Sequence, residues 1–129
     1  MKKTFIVLLL VLFIAGCGKN NVDQATEHLL RTQQSENEIS VVVFGDRDWE
    51  DGYVRELQTG LDDLNNNIRQ ENPVTNVSFV NVKDDRNYNY EKIFNLQTYP
   101  RILIFQHNKV IMESGKPQDI IDFLEKEAE

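Results

Sequence analysis

Few residues in this sequence could carry covalent or metal chemistry. There is one cysteine, Cys17, and two histidines, His28 and His107. A lone cysteine cannot close an intramolecular disulfide. Neither histidine has a Cys, His or carboxylate at a recognised ligand spacing, so no zinc motif forms around them. Carboxylates do gather in one place, at Asp46, Asp48, Glu50 and Asp51. Alternating carboxylates can bind Ca²⁺, but a calcium loop of the helix–loop–helix type needs Gly at its sixth position and Glu at its twelfth. Counted from Asp46, those positions hold Asp51 and Leu57. The other reading is a helix N-terminus, where Asp and Glu favour the dipole and accept from free N–H groups. No Gly-x-Ser-x-Gly, phosphate loop or paired-carboxylate motif is present. A metal-dependent hydrolase acting on the cell envelope through the 46–51 loop therefore stays only as a rival reading.

The chemistry expected of Cys17 follows from its surroundings. Lys2-Lys3 precedes an unbroken apolar run from Phe5 to Ala15, and the composition turns polar after Cys17. A basic tip, a short apolar stretch and small residues describe a secretory signal peptide. The run is too short to span a hydrocarbon core, which needs about 20 residues. The segment Ile14-Ala15-Gly16-Cys17 resembles the bacterial lipobox. That resemblance implies cleavage before Cys17, joining of its thiol to diacylglycerol, and anchoring on the extracytoplasmic face of the cell membrane. Two acyl chains suffice for a stable anchor where one does not. Residues 1–16 are then a signal peptide, 17–21 a lipidated tether and 22–129 the folded domain. The net charge is −7, and loss of Lys2 and Lys3 makes it more negative still. Such a surface lacks the basic footprint of a nucleic-acid binder and suits a soluble domain beside an anionic envelope.

The elements that would position any site can be read from periodicity. Val22, Ala25, Leu29 and Leu30 lie near helical spacing. Glu38 to Phe44 is a β-branched apolar run, which predicts a buried, central strand. After Gly45 and the acidic loop, Val54, Leu57, Leu61, Leu64 and Ile68 share one face of a helix that Pro73 closes. Val77 to Val82 reads as a second strand, and a short helix around Tyr90 to Leu96 buries Ile93. Tyr88 and Tyr90, alternating with asparagines, read as surface loop residues. Arg101 to Phe105 is a third strand, and Val110 to Met112 pairs back on it across a turn. Gly115 breaks the chain, Pro117 suits a first helical position, and Ile120, Ile121, Phe123 and Leu124 face a final helix inward. Alternating strands and helices predict crossovers with parallel pairing, an antiparallel hairpin at one edge, and an α/β fold: a mixed sheet with helices on both faces.

This order, with Tyr99-Pro100 ahead of Arg101–Phe105, resembles the thioredoxin-like superfamily over roughly Glu38 to Glu129. In that family an apolar strand leads into the active-site loop and helix, and a cis-proline precedes a later strand. The resemblance assigns Val41–Phe44, the loop from Asp46 and the helix from Tyr53 to the first part, and Thr98-Tyr99-Pro100 to the proline loop. The family's Cys-x-x-Cys would fall at about Trp49-Glu50-Asp51-Gly52. Thiol–disulfide exchange needs an attacking thiolate, and none of these four residues supplies one. The family's usual first strand is not evident.

What the resemblance leaves is a recognition surface. Its cis-proline loop offers backbone groups to an extended peptide, a form of strand addition. Trp49, Tyr53, Tyr99 and Pro100 would then form a partner-binding surface, since aromatic anchors are typical of such sites. Alternatively, Trp49 covers the sheet edge and Tyr99 packs locally. The expectation is a non-enzymatic, redox-inactive module that needs no cofactor or metal and binds a protein or cell-wall partner. A purely structural stress or sporulation lipoprotein is the further alternative. The size and layout look loosely similar to small lipoproteins of spore-forming bacilli.

Overall fold

The computed structural model describes residues 20–84 and 87–129. The signal-peptide reading of residues 1–16 and the lipidation reading of Cys17 fall outside the described residues. Among those described, the order is α1 (Asn21–Leu29), β1 (Ser40–Gly45), α2 (Asp51–Asn67), β2 (Asn76–Asn81), α3 (Tyr90–Ile93), β3 (Arg101–Gln106), β4 (Lys109–Ser114) and α4 (Pro117–Glu127). Local chemistry sets the ends of these elements. The Asn20 side chain accepts from the Asp23 N–H at 2.9 Å and starts α1, as capping oxygens do. Asn89 caps α3 in the same way through the Lys92 N–H. Pro117 opens α4, where its missing N–H costs nothing. His107 and Asn108, both at positive φ, make the two-residue turn between β3 and β4, the geometry that matches hairpin twist.

The four strands form one sheet in the order β2-β1-β3-β4. The run Val41–Phe44 is central and fully buried, as its composition predicts. Strand direction differs from expectation. β2 runs parallel to β1 across the α2 crossover, but β3 runs antiparallel to β1. The β2–β3 connection contains only the one-turn α3 and the loop to Pro100. It returns the chain from the end of β2 to the same end of the sheet, so β3 must run back.

Helices cover both faces. On one face Val41, Val43, Ile102 and Ile104 pack with Leu57, Leu61 and Leu64 of α2 and Ile120 and Leu124 of α4. On the other face Val42, Phe44, Leu103 and Phe105 pack with Ala25, Leu29 and Leu30 from α1 and Tyr90 and Leu96 around α3. Each β1 side chain thus serves the face its parity dictates. Four residue assignments need correction. Tyr90 is 1 % exposed, among the most buried residues, rather than a surface loop residue. Its ring lies 5.6 Å from Phe44 and 6.4 Å from Phe94. Ile93 is only half-buried, because the single turn of α3 directs Tyr90 inward. Val22 and Ile68, assigned to inward faces, are 45 % and 46 % exposed, since each lies at the end of its helix beyond the reach of the sheet.

Candidate functional site

Two loops meet at one end of the sheet because β1 and β3 are antiparallel neighbours. Phe44, near the end of β1, pairs with Arg101 at the start of β3. The loop leaving β1 and the loop entering β3 are therefore brought side by side. The Tyr99–Pro100 peptide is cis, as the resemblance implies. Between the loops lies a cleft of about 260 Å³ lined by Gly45, Asp46, Arg47, Asp48, Trp49, Glu50, Tyr53, Tyr99 and Pro100. All four residues named from the sequence as a recognition surface line this one cleft.

Trp49 is half-buried: it covers the end of the sheet, one of the arrangements its sequence left open, and also lines the cleft. Its indole lies over Gly45: a Cβ there would stand 2.9–3.0 Å from three ring atoms. The indole also meets Phe79 of β2 edge-on, with centroids 5.4 Å apart at 81°. It thus seals the end of the sheet while presenting another part of itself to the cleft. The indole Nε1 is buried and, among the described residues, has no hydrogen-bond acceptor.

Tyr53, in the first turns of α2, donates its hydroxyl to the Gly115 carbonyl at 3.2 Å. This ties α2 to the loop before α4. Burial, and then the Glu56 carboxylate, push its pKa up to about 12. Gly115 also sits tightly beneath the proline loop, since a Cβ would lie 3.0 Å from the Pro100 carbonyl oxygen. Tyr99 packs beside the α1–α3 cluster. Its hydroxyl is buried and faces the Glu91 carboxylate. Burial first, then the charge of Glu91 and its hydrogen bond with the phenol, and last the charge of Asp46, push its pKa up to about 12. Both phenols therefore keep their protons at neutral pH.

The carboxylates form the rim of the cleft. Glu50 is the N-cap residue of α2 but its side chain makes no capping bond. The acidic loop thus acts on the helix through charge near the N-terminus and not, at Glu50, through a side-chain cap. Asp46 faces Arg47 at 3.6 Å, an exposed pair worth little in water. Among the described residues, no group of three His, Cys, Asp or Glu side chains could hold a metal ion. This leaves the hydrolase reading without a ligand set among them. Phe79 was the supporting residue that sequence reasoning missed. Its role depends on register, because it pairs with Val43 thirty positions from the tryptophan it supports, and no local pattern reports that.

Comparison with solved structures finds the same fold in other proteins. The fold is thioredoxin-like. Thioredoxin O2 from Arabidopsis thaliana, solved in its oxidized state, aligns with a TM-score of 0.51 at 15% identity, covering 85% of this chain and 92% of that one. A designed protein aligns with a TM-score of 0.53 at 22% identity, covering 78% of this chain and 84% of its own. At these identities the likeness is one of fold. No protein-family model matches the chain, and no curated protein matches it. No described helix is long and apolar enough to cross a membrane.

Proposed function

We propose that this chain is a membrane-tethered binding module with a redox-inactive thioredoxin-like domain. Lipid on Cys17 holds it at the extracytoplasmic face of the cell membrane. The cleft between the two loops takes an extended segment of a protein or cell-wall partner, with no cofactor and no catalytic step. The observation that carries this reading is the convergence of Trp49, Tyr53, Tyr99 and Pro100 on one cleft. Rigid aromatic groups give contact area at low entropic cost. The Trp49 indole N–H is buried and has no acceptor among the described residues, and a peptide carbonyl is the kind of group that completes such a donor. The stretch Trp49-Glu50-Asp51-Gly52, at the start of α2, carries no thiol, so the domain holds partners without exchanging disulfides.

The test is co-purification from solubilised membranes with the full chain as bait. Asp48 and Glu50 are exposed on the rim, so Asp48→Lys with Glu50→Lys reverses charge at the cleft without disturbing the core. Tyr99→Ala removes an aromatic wall. Partners should be lost with both variants while the far-UV circular dichroism stays native. Identical partner sets for wild type and both variants would overturn the cleft. For the tether, Cys17→Ser should release the chain from the membrane fraction, and unchanged fractionation would remove that part of the proposal.

A further inference from the structure

The two edges of the sheet are built differently. The β4 edge carries Lys109 and Glu113, and its pairing with β3 is broken by an irregularity at Ile104/Phe105. Charges and bulges of this kind discourage a strand from pairing with another chain. The β2 edge has none of these. Its sequence, Asn76-Val77-Ser78-Phe79-Val80-Asn81, holds no charge and no proline, and its six-residue register with β1 is unbroken.

The outward hydrogen-bonding groups of β2 can be assigned by parity. The Val82 N–H donates to the Gly45 carbonyl at 2.9 Å. Val80 and Ser78 therefore also face β1, and Val77, Phe79 and Asn81 face away from the sheet. Among the described residues, the Asn81 carbonyl accepts from Asp84 N–H at 3.1 Å, while the backbone groups of Val77 and Phe79 take no partner. Grooves flank the strand on both sides. One of about 420 Å³ runs along Ser78–Asn81 between Arg31 and Asp84, and one of about 500 Å³ lies against α2 beside Val77 and Phe79.

We propose that β2 is the interface for a second copy of this chain, paired antiparallel across a two-fold axis to continue the sheet. A self-complementary charge pair, Arg31 with Asp84, argues for a second copy. Thr32, beside Arg31, bonds the Asn76 side chain at the start of β2, whereas Asp84 is anchored to Asn81 at its end. Antiparallel pairing sets the start of one strand against the end of the other. Arg31 of each copy then meets Asp84 of its partner, twice by symmetry, as an isologous interface requires. Phe79 pairs with Phe79 at the centre, and Val77 with Asn81 on either side.

The experiment is the protein mass of the detergent-solubilised full chain by multi-angle light scattering over a concentration series. Wild type should give two copies per particle. Arg31→Glu alone and Asp84→Arg alone should each weaken the dimer by about tenfold, since two exposed attractions become repulsions. Arg31→Glu with Asp84→Arg should restore it. Ser78→Lys, which sets a charge beside the two-fold axis, should give monomer. A monomeric wild type at all concentrations would overturn the proposal. So would a dimer indifferent to the Arg31 and Asp84 reversals. Should Ser78→Lys lose its native circular dichroism, the two exposed charge variants alone decide the outcome.

Discussion

Substituting Gly45 by alanine tests the floor of the cleft. Gly45 ends β1 and does not have a positive φ, so its backbone accepts an alanine without strain. With neighbouring indole atoms absent, Gly→Ala at a compatible position stabilises by about 0.4–1 kcal/mol through the unfolded chain. The indole is present, however, with Cε2 at 2.9 Å and Cζ2 and Nε1 at 3.0 Å from the new Cβ. A ring has no flexible tip to give way, and its far side is held by Phe79. The whole indole must lift, an overpacking cost of about 1–3 kcal/mol. The net effect of Gly45→Ala is a destabilisation of about 1–2 kcal/mol. In a Trp49→Ala background the obstacle is gone, and the same change should be neutral or stabilising. The coupling between the two positions is therefore about 2 kcal/mol, well above the error of additivity for independent sites. Urea denaturation followed by far-UV circular dichroism measures all four members of the cycle, including those without tryptophan. If Gly45→Ala cost the same with and without Trp49, the indole would not lie where the reasoning puts it. The cleft wall would then fall with it.

Three further outcomes follow from other contacts. Gly60 sits within α2 with Ile121 Cγ1 only 2.7 Å from where a Cβ would be. Gly60→Ala should therefore destabilise, yet stabilise by about 1 kcal/mol once Ile121→Ala clears the space; equal effects in the two backgrounds would refute the α2–α4 contact. The Asn65 side chain clamps both backbone groups of Val74, accepting from its N–H at 2.8 Å and donating to its carbonyl at 2.9 Å. Asn65→Ala should cost about 1–3 kcal/mol by orphaning them, and a neutral variant in chemical denaturation would dismiss the clamp. Tyr53 and Tyr99 have folded pKa values pushed from 10.0 up to about 12. The unfolded chain releases these protons first as pH rises, so it binds fewer than the folded one. Stability is full below about pH 10 and falls as pH climbs toward 12. In ultraviolet titration Tyr53→Phe and Tyr99→Phe should each remove a phenol that ionises late, and loss of a phenol titrating near 10 in either variant would contradict the burial.

Much of the architecture is legible in the amino-acid sequence. The buried run at Val41–Phe44, the α2 stripe at Leu57, Leu61 and Leu64, and the final helix all follow from periodicity, because burial of one face imposes a repeat on the chain. The absence of thiols beyond Cys17, and hence of dithiol chemistry at the start of α2, is likewise a property of composition alone. The grouping of Trp49 and Tyr53 with Tyr99 and Pro100 came from the order of elements, and the structure brings them to one cleft.

Other features depend on which segments meet, which no local repeat encodes. β3 runs against β1 because a connection with only one helical turn returns it to the same end of the sheet. Tyr90 is a core residue because α3 turns it toward Phe44, although its neighbours in sequence are polar. Trp49 lies on Gly45 and against Phe79 only through the register of β1 with β2. Among the described residues α1, not a strand, precedes β1, and this leaves the β2 edge open. Side-chain type sets what a residue can do, and the sequence states it outright. Which partner it finds is a matter of non-local geometry, and only the folded chain decides that.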